Sequence, residues 1–143
     1  MNSPILAPAA ILVLWSVIVL FWVFVTRMKA FSQAGLALGD AEPGSRYQDV
    51  EQNMPASANW KSHNFVHLME QPTLFYAVVA IIALTGQGSG INLNLAWAYV
   101  GLRIAHSLWQ SLVNTVPVRF GLYMLSTLCL LAMAINAVRL TVF

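Results

Sequence analysis

The chain alternates between long apolar runs and short polar breaks. An α-helix needs about 20 apolar residues to cross a hydrocarbon core, and the apolar runs predict helices at about residues 8–26, 61–86, 93–113 and 119–138. The glycine-rich residues 86–90 and the Asn-Thr-Val-Pro-Val sequence at 114–118 are typical of breaks between helices. The pattern therefore predicts an all-α membrane protein, a four-transmembrane-helix bundle that forms one domain over residues 1–143.

The first apolar run has no charged residue over 8–26, and no basic segment precedes it. A cleaved signal peptide needs a basic start and a shorter apolar core, so we expect a retained helix. Residues 27–60 form one large polar loop that contains four of the five acidic residues. The loop is either a cover over a site or a plain connector.

Composition agrees with the membrane class: 59% of the residues are hydrophobic and 8% are charged, against about 25% charged in soluble domains. The net charge of +2 comes from scattered side chains, which argues against a nucleic-acid interface. Cys129 is the single cysteine, so it forms no intrachain disulfide.

Most basic residues near predicted helix ends belong to one side of the bundle: Arg27, Lys29, Arg46, Lys61 and Arg119. The opposite side has only Arg139. Cytoplasmic loops carry the excess of Lys and Arg. We therefore expect the large loop in the cytoplasm and both termini outside it.

Three predicted helices carry polar side chains at spacings of three or four, which places them on one face of each helix. The positions are His63, His67 and Glu70, then Arg103, His106, Gln110 and Asn114, then Arg119 and Tyr123. A charged side chain at mid-membrane costs about 2.5–3.5 kcal/mol on insertion scales, so it normally faces a protein interior. The stripes predict one shared polar pocket near the cytoplasmic side.

Two interpretations of this pocket are open. In the first, Glu70 and Arg103 form a buried ion pair that locks the second helix to the third. In the second, the arginines bind carboxylates of a small anionic molecule and Glu70 accepts a hydrogen bond from its ammonium. A metal site at His63, His67 and Glu70 is not favoured, because the spacing lacks the His-Glu-x-x-His pattern; no metal ligand is assigned.

Two further features concern the helices themselves. Pro72 is predicted to kink the second helix and to free carbonyl groups beside its polar stripe. Most of the aromatic residues near helix ends are predicted to anchor the protein at the membrane interface: Tyr47, Trp60, Trp97, Tyr99 and Trp109.

Residues 67–76 read His-Leu-Met-Glu-Gln-Pro-Thr-Leu-Phe-Tyr, residues 103–107 read Arg-Ile-Ala-His-Ser, and residues 114–120 read Asn-Thr-Val-Pro-Val-Arg-Phe. These segments resemble the MAPEG family, the membrane-associated proteins in eicosanoid and glutathione metabolism. The similarity covers roughly Trp60 to the C-terminus, and residues 27–31 also resemble the family. The sequence around Pro72 is similar to that of bacterial members, which implies that the protein lies in a bacterial inner membrane.

The resemblance implies a homotrimer that binds glutathione between neighbouring protomers near the cytoplasmic side. The positions that match glutathione-contacting groups of the family, or their neighbours, are Glu70, Arg103, His106, Arg119 and Tyr123. We include His67, Gln110, Asn114 and Arg27 as further candidates for binding glutathione. Arg119 and Tyr123 are the expected catalytic residues, with Arg119 favouring the thiolate and Tyr123 donating a hydrogen bond to the sulfur.

Three positions depart from the family pattern: His67 stands where mammalian members commonly have asparagine, Gln110 where they place tyrosine, and Phe120 where a relative has serine. Two functions follow as the main hypotheses, and a purely structural subunit with an ion-paired core is a third. One is a glutathione-dependent membrane transferase or peroxidase acting on lipophilic electrophiles that arrive from the bilayer. The alternative is a non-catalytic protein of the same fold that binds lipid or serves as a scaffold or accessory subunit of a larger membrane complex.

Overall fold

The computed structural model describes residues 3–143. Within that range the protein is helical and has no strand. Its α-helices are α1 (Leu6–Gln33), α2 (Tyr47–Val50), α3 (Ala56–Leu84), α4 (Gly90–Leu112) and α5 (Val116–Val142). Two single 3-10 turns, Leu38–Asp40 and Glu51–Asn53, lie in the connection between α1 and α3. The all-helical class predicted from the apolar runs is confirmed.

Three of the described helices, α1, α3 and α5, are long and apolar enough to cross a membrane. Helix α4 lies at the centre of the bundle and contacts each of those three. Its buried face is largely polar, with Arg103, His106, Ser107, Gln110 and Ser111 among its buried residues. This polar face explains why α4 is not among the candidate membrane spans. That α4 forms a fourth crossing stays a prediction.

The helices extend beyond the apolar runs that predicted them. Helix α1 runs to Gln33 rather than 26, and α3 begins at Ala56 rather than 61. Arg, Lys, Met, Gln and Ala are good helix formers, so α1 continues past the charged residues that end its apolar run. The polar connection is therefore 34–55 and shorter than the predicted loop.

The two predicted breaks are present. Gly86 and Gly90 have φ angles of 76° and 59°, a left-handed conformation that glycine adopts without steric cost. Asn114 has φ 60° just after α4. Pro117 lies in the first turn of α5, where its missing N–H group is tolerated, so α5 starts three residues earlier than Arg119.

The apolar core holds Leu12 and Val19 of α1, Phe75 of α3 and Met133 of α5, none of which is exposed. The ring of Tyr99 on α4 stacks on Phe75 with centroids 4.3 Å apart. Because Tyr99 is fully buried, the prediction that it anchors the protein at the membrane interface is wrong for this residue.

Candidate functional site

Arg103 is the centre of the polar cluster. It lies on α4 and is 1% exposed. Its Nη2 group donates a hydrogen bond to the main-chain carbonyl of His67 on α3 at 2.8 Å. Its Nε and Nη1 groups are buried and have no acceptor among residues 3–143. A buried cation with two unused donors is unusual, because buried charges are normally hydrogen-bonded or paired.

Pro72 lies close to this hydrogen bond along α3. Helix α3 is continuous through Pro72, but a proline removes the N–H that the carbonyl four residues earlier would accept, here that of Leu68. The His67 carbonyl, which Arg103 uses, belongs to the residue before Leu68. The predicted kink at Pro72 and its freed carbonyl groups stay predictions.

The predicted ion pair between Glu70 and Arg103 is wrong for the protomer described. Glu70 has a side chain that is 61% exposed, and its Oε2 atom lies 3.3 Å from Nδ1 of His67, one turn earlier on α3. The reason is the angular position of Glu70 around the axis of α3. Leu68 and Pro72 are buried, and a residue two positions from each points to the opposite side of the helix.

Four candidate side chains from three helices do come together. The rings of His67 and His106 are 6.0 Å apart, and the rings of His106 and Tyr123 are 6.2 Å apart. The Arg103 guanidinium lies 5.7 Å from the centre of the Tyr123 ring, within the range of a cation–π contact. His106 and Arg103 are buried, whereas His67 and Tyr123 are partly exposed. The cluster therefore opens toward the surface between α3 and α5.

Arg119 and Asn114 form a second small group where α4 gives way to α5. Nη1 of Arg119 donates to Oδ1 of Asn114 at 2.7 Å. Asn114 belongs to the turn, so the predicted polar stripe on α4 ends at Gln110. Gln110 is 1% exposed, and its Oε1 atom accepts no hydrogen bond from residues 3–143.

Arg27 is not part of this cluster. Its Nε donates to Oγ of Ser62 at 3.1 Å, and its guanidinium lies 3.9 Å from the centre of the Tyr47 ring. His63 turns away too, because its ring contacts the carboxylate of Glu51. Within residues 3–143, no group of three or more His, Cys, Asp or Glu side chains is placed to hold a metal ion.

Sequence reasoning missed a buried polar network beside the cluster. Asn64 is fully buried and donates to the hydroxyls of Ser107 at 2.7 Å and Ser111 at 3.0 Å. Trp15 of α1 also donates to Ser107, at 2.9 Å. The available signal was the pair of serines four residues apart, since Ser and Asn side chains hydrogen-bond between membrane helices.

A second missed network ties α3, α4 and α5 together one turn from Arg103. Gln71 donates to Thr127 at 2.8 Å, and the Tyr99 hydroxyl donates to Gln71 at 3.3 Å. Thr127 in turn donates to the main-chain carbonyl of Tyr123 at 2.8 Å. These bonds fix the relative rotation of the three helices that carry the cluster.

Comparison with protein families identifies the family of this chain. The family model described as the MAPEG family matches residues 5–139, nearly the whole chain. The chain belongs to the MAPEG family. The match extends the resemblance seen from Trp60 onward back to the start of α1. A search of curated proteins and a search of solved structures each found no match.

MAPEG membership, together with the three apolar helices, makes this chain an integral membrane protein. The cluster described above lies in the part of the chain whose motifs carried the resemblance. The individual roles of Glu70, Arg103, Arg119 and the other candidate residues stay predictions.

Proposed function

We propose that this MAPEG protein is a glutathione-dependent transferase or peroxidase that acts on lipophilic electrophiles taken from the bilayer. Members of the family generally use glutathione. The observation that carries the proposal is the buried guanidinium of Arg103 with two unpaired N–H groups. Unpaired buried donors are costly, and an anionic ligand would satisfy them.

The available groups fit glutathione, which has two carboxylates, an ammonium, two amides and a thiol. Nε and Nη1 of Arg103 and the partly exposed Arg119 are suited to carboxylates. Exposed Glu70 is suited to the ammonium, and the unpaired Oε1 of Gln110 can accept an amide N–H. His67, His106 and Asn114 border the same groups, whereas Arg27 is held elsewhere by Ser62 and Tyr47.

When bound, glutathione supplies a thiol that reacts with electrophiles as the thiolate. Arg119 stabilises negative charge near the start of α5, since a neighbouring guanidinium favours a thiolate over a thiol. In this proposal Tyr123, one turn later on α5, donates a hydrogen bond from its hydroxyl to the sulfur of glutathione. Phe120 is 60% exposed and provides an apolar surface beside Arg119, suited to a lipophilic reactant.

Glu70 supports the homotrimer implied by the resemblance. It lies near the middle of α3, beside the exposed Met69 and Leu74. A carboxylate facing lipid costs about 2.5–3.5 kcal/mol on insertion scales, so a neighbouring protomer is expected to cover it. We propose that α4 forms a fourth crossing within this assembly, that the connection 34–55 faces the cytoplasm, and that the protein resides in a bacterial inner membrane.

Calorimetric titration of the purified protein with glutathione tests binding, and ultraviolet absorbance of the thiolate tests activation. We expect saturable binding and a thiolate signal at pH 7. Lack of binding to the intact oligomer would rule out the proposal. Binding without a thiolate signal would instead favour the alternative function, a non-catalytic lipid-binding protein or an accessory subunit of a larger membrane complex.

A further inference from the structure

A cavity separate from the polar cluster lies at the end of α1, under the connection to α3. Its volume is about 450 Å³, within the usual range for small-molecule sites. Residues from the last turns of α1, from 35–41 and from 45–50 enclose it. Arg27 is the member of the predicted glutathione set that lines this cavity.

The cavity has apolar walls formed by Phe31, Leu36, Leu38 and Val50. Leu36 and Leu38 are 45% and 62% exposed, so the apolar surface continues to the outside of the protein. This surface follows directly on α1, the most apolar of the three candidate membrane helices. Arg27, Lys29 and Gln33 lie between the apolar run of α1 and this surface, so we expect the surface at the membrane interface, beside the lipid head groups and the start of their acyl chains.

Three charged residues line the same cavity: Arg27, Arg46 and Asp40. Ser62 and the Tyr47 ring hold Arg27 through its Nε group and its flat face, and its terminal amino groups are in no ion pair with residues 3–143. Arg46 is exposed and likewise in no ion pair in that range. Guanidinium groups bind phosphate oxygens bidentately, and a carboxylate binds an ammonium.

The wall of the cavity is fastened to α3. The Tyr47 hydroxyl donates to Oδ1 of Asn59 at 2.6 Å, and Asn59 donates to the Glu51 carbonyl at 3.0 Å. Burial raises the pKa of Tyr47 above its usual 10 despite the nearby Arg27, so the hydroxyl stays protonated and able to donate. A fixed wall favours binding because less ordering is needed when a ligand arrives.

We propose that this cavity binds a membrane phospholipid whose head group carries both a phosphate and an ammonium. Arg27 and Arg46 contact the phosphate, Asp40 contacts the ammonium, and one acyl chain lies along Phe31, Leu36 and Leu38. The volume of the cavity suits a single acyl chain. The site does not depend on the proposed glutathione chemistry, since it shares none of the groups around Arg103.

The test uses the intact oligomer, stripped of lipid in detergent, and lysophosphatidylethanolamine as the probe. Native mass spectrometry and thermal shift should show saturable binding. Arg46→Gln should weaken it by about tenfold, because a charge-assisted hydrogen bond is lost. Arg27→Lys should weaken it while keeping the fold. Lys29→Gln removes an equal charge from an exposed position that does not line the cavity, and it should leave binding unchanged.

Lipid probes with other head groups complete the test. Lysophosphatidylglycerol, which lacks the ammonium, should bind more weakly to the wild type, and Asp40→Asn should abolish that preference. Equal binding of oleate and lysophosphatidylethanolamine would overturn the assignment of phosphate and ammonium. An equal effect of Lys29→Gln and Arg46→Gln would show non-specific attraction and would also overturn it. Displacement of the probe by glutathione would assign the cavity to glutathione instead.

Discussion

Nη2 of Arg103 on α4 donates a 2.8 Å hydrogen bond to the main-chain carbonyl of His67 on α3. The pairing places a buried cation against a main-chain dipole rather than against a carboxylate. Removal of the cation therefore leaves behind no buried opposite charge, which is the usual reason for severe loss of stability. The consequences of mutation differ from those of a buried ion pair.

Arg103→Met tests this difference. We expect the variant to fold as the same oligomer, with a free energy of unfolding lowered by at most about 3 kcal/mol, the upper value for a hydrogen bond to a charged group. Glutathione affinity should fall by about tenfold or more, since two buried donors are removed. Calorimetry and thermal unfolding measure the two effects. Arg139→Met, which removes an exposed cation, serves as the control and should leave affinity unchanged.

Arg119→Ala should act on activation more than on binding. Arg119 is partly exposed, and its guanidinium donates a hydrogen bond to Asn114. Arg119 lies one turn before Tyr123 on α5. A lost thiolate-stabilising charge changes the chemical step, whereas a lost ground-state contact changes affinity. Thiolate absorbance at pH 7 should fall in Arg119→Ala, and Asn114→Ala should reduce it less. If the variant retained the full signal of the wild type, Arg119 would not be the activating residue.

Asn64→Leu should destabilise the bundle by about 1–3 kcal/mol, because Ser107 and Ser111 lose a buried partner. Asn94 offers a matched control, since it is exposed on α4. Asn94→Leu should change the free energy of unfolding by no more than about 0.5 kcal/mol. Denaturation in mixed micelles measures both, and similar values for the two variants would contradict the role given to Asn64.

Gln71 and Thr127 should be energetically coupled. Their 2.8 Å hydrogen bond joins α3 to α5, and such bonds between membrane helices average about 0.6 kcal/mol in double-mutant cycles. A cycle of Gln71→Leu and Thr127→Val should give a coupling of about that size. Additive effects of the two substitutions would mean that the hydrogen bond contributes nothing measurable.

Ser45 lies in the connection between α1 and α3 and is exposed. The excess of Lys and Arg at that end predicts a cytoplasmic position. In a Cys129→Ser background, Ser45→Cys should be labelled by an impermeant thiol reagent only after the cells are opened. Labelling in intact cells would reverse the proposed orientation.

Apolar runs and turn residues were sufficient to predict the long helices and both breaks, because hydrophobic length and glycine or proline chemistry act locally. The grouping of His67, Arg103, His106 and Tyr123 also followed from helical spacing. The direction of Glu70 did not, because spacing orders residues on one helix without giving that helix's rotation relative to its neighbours. That rotation depends on tertiary contacts, among them the hydrogen bond of Asn64 to Ser107, 43 positions away, and that of Gln71 to Thr127, 56 positions away.

The cavity below 34–55 was beyond sequence reasoning for a different reason. Its walls come from a connection whose shape depends on contacts such as that between Tyr47 and Asn59, and no periodicity encodes them. Arg27 is an example. We included it from the sequence among the candidate glutathione-binding residues, whereas in the structure its Nε donates a hydrogen bond to Ser62.

The polar interior face of α4 bears on how the protein is made. An arginine at the middle of a helix opposes its entry into lipid from the translocon by about 2.5–3.5 kcal/mol, and α4, which carries Arg103, is not among the three described helices that are apolar enough to cross a membrane by composition. Helices α1 and α3 precede it in synthesis and already offer an indole N–H, a side-chain amide and a main-chain carbonyl to its polar side chains. If α4 crosses the bilayer as proposed, it enters beside α1 and α3 rather than alone, so biogenesis of the second half depends on correct insertion of the first.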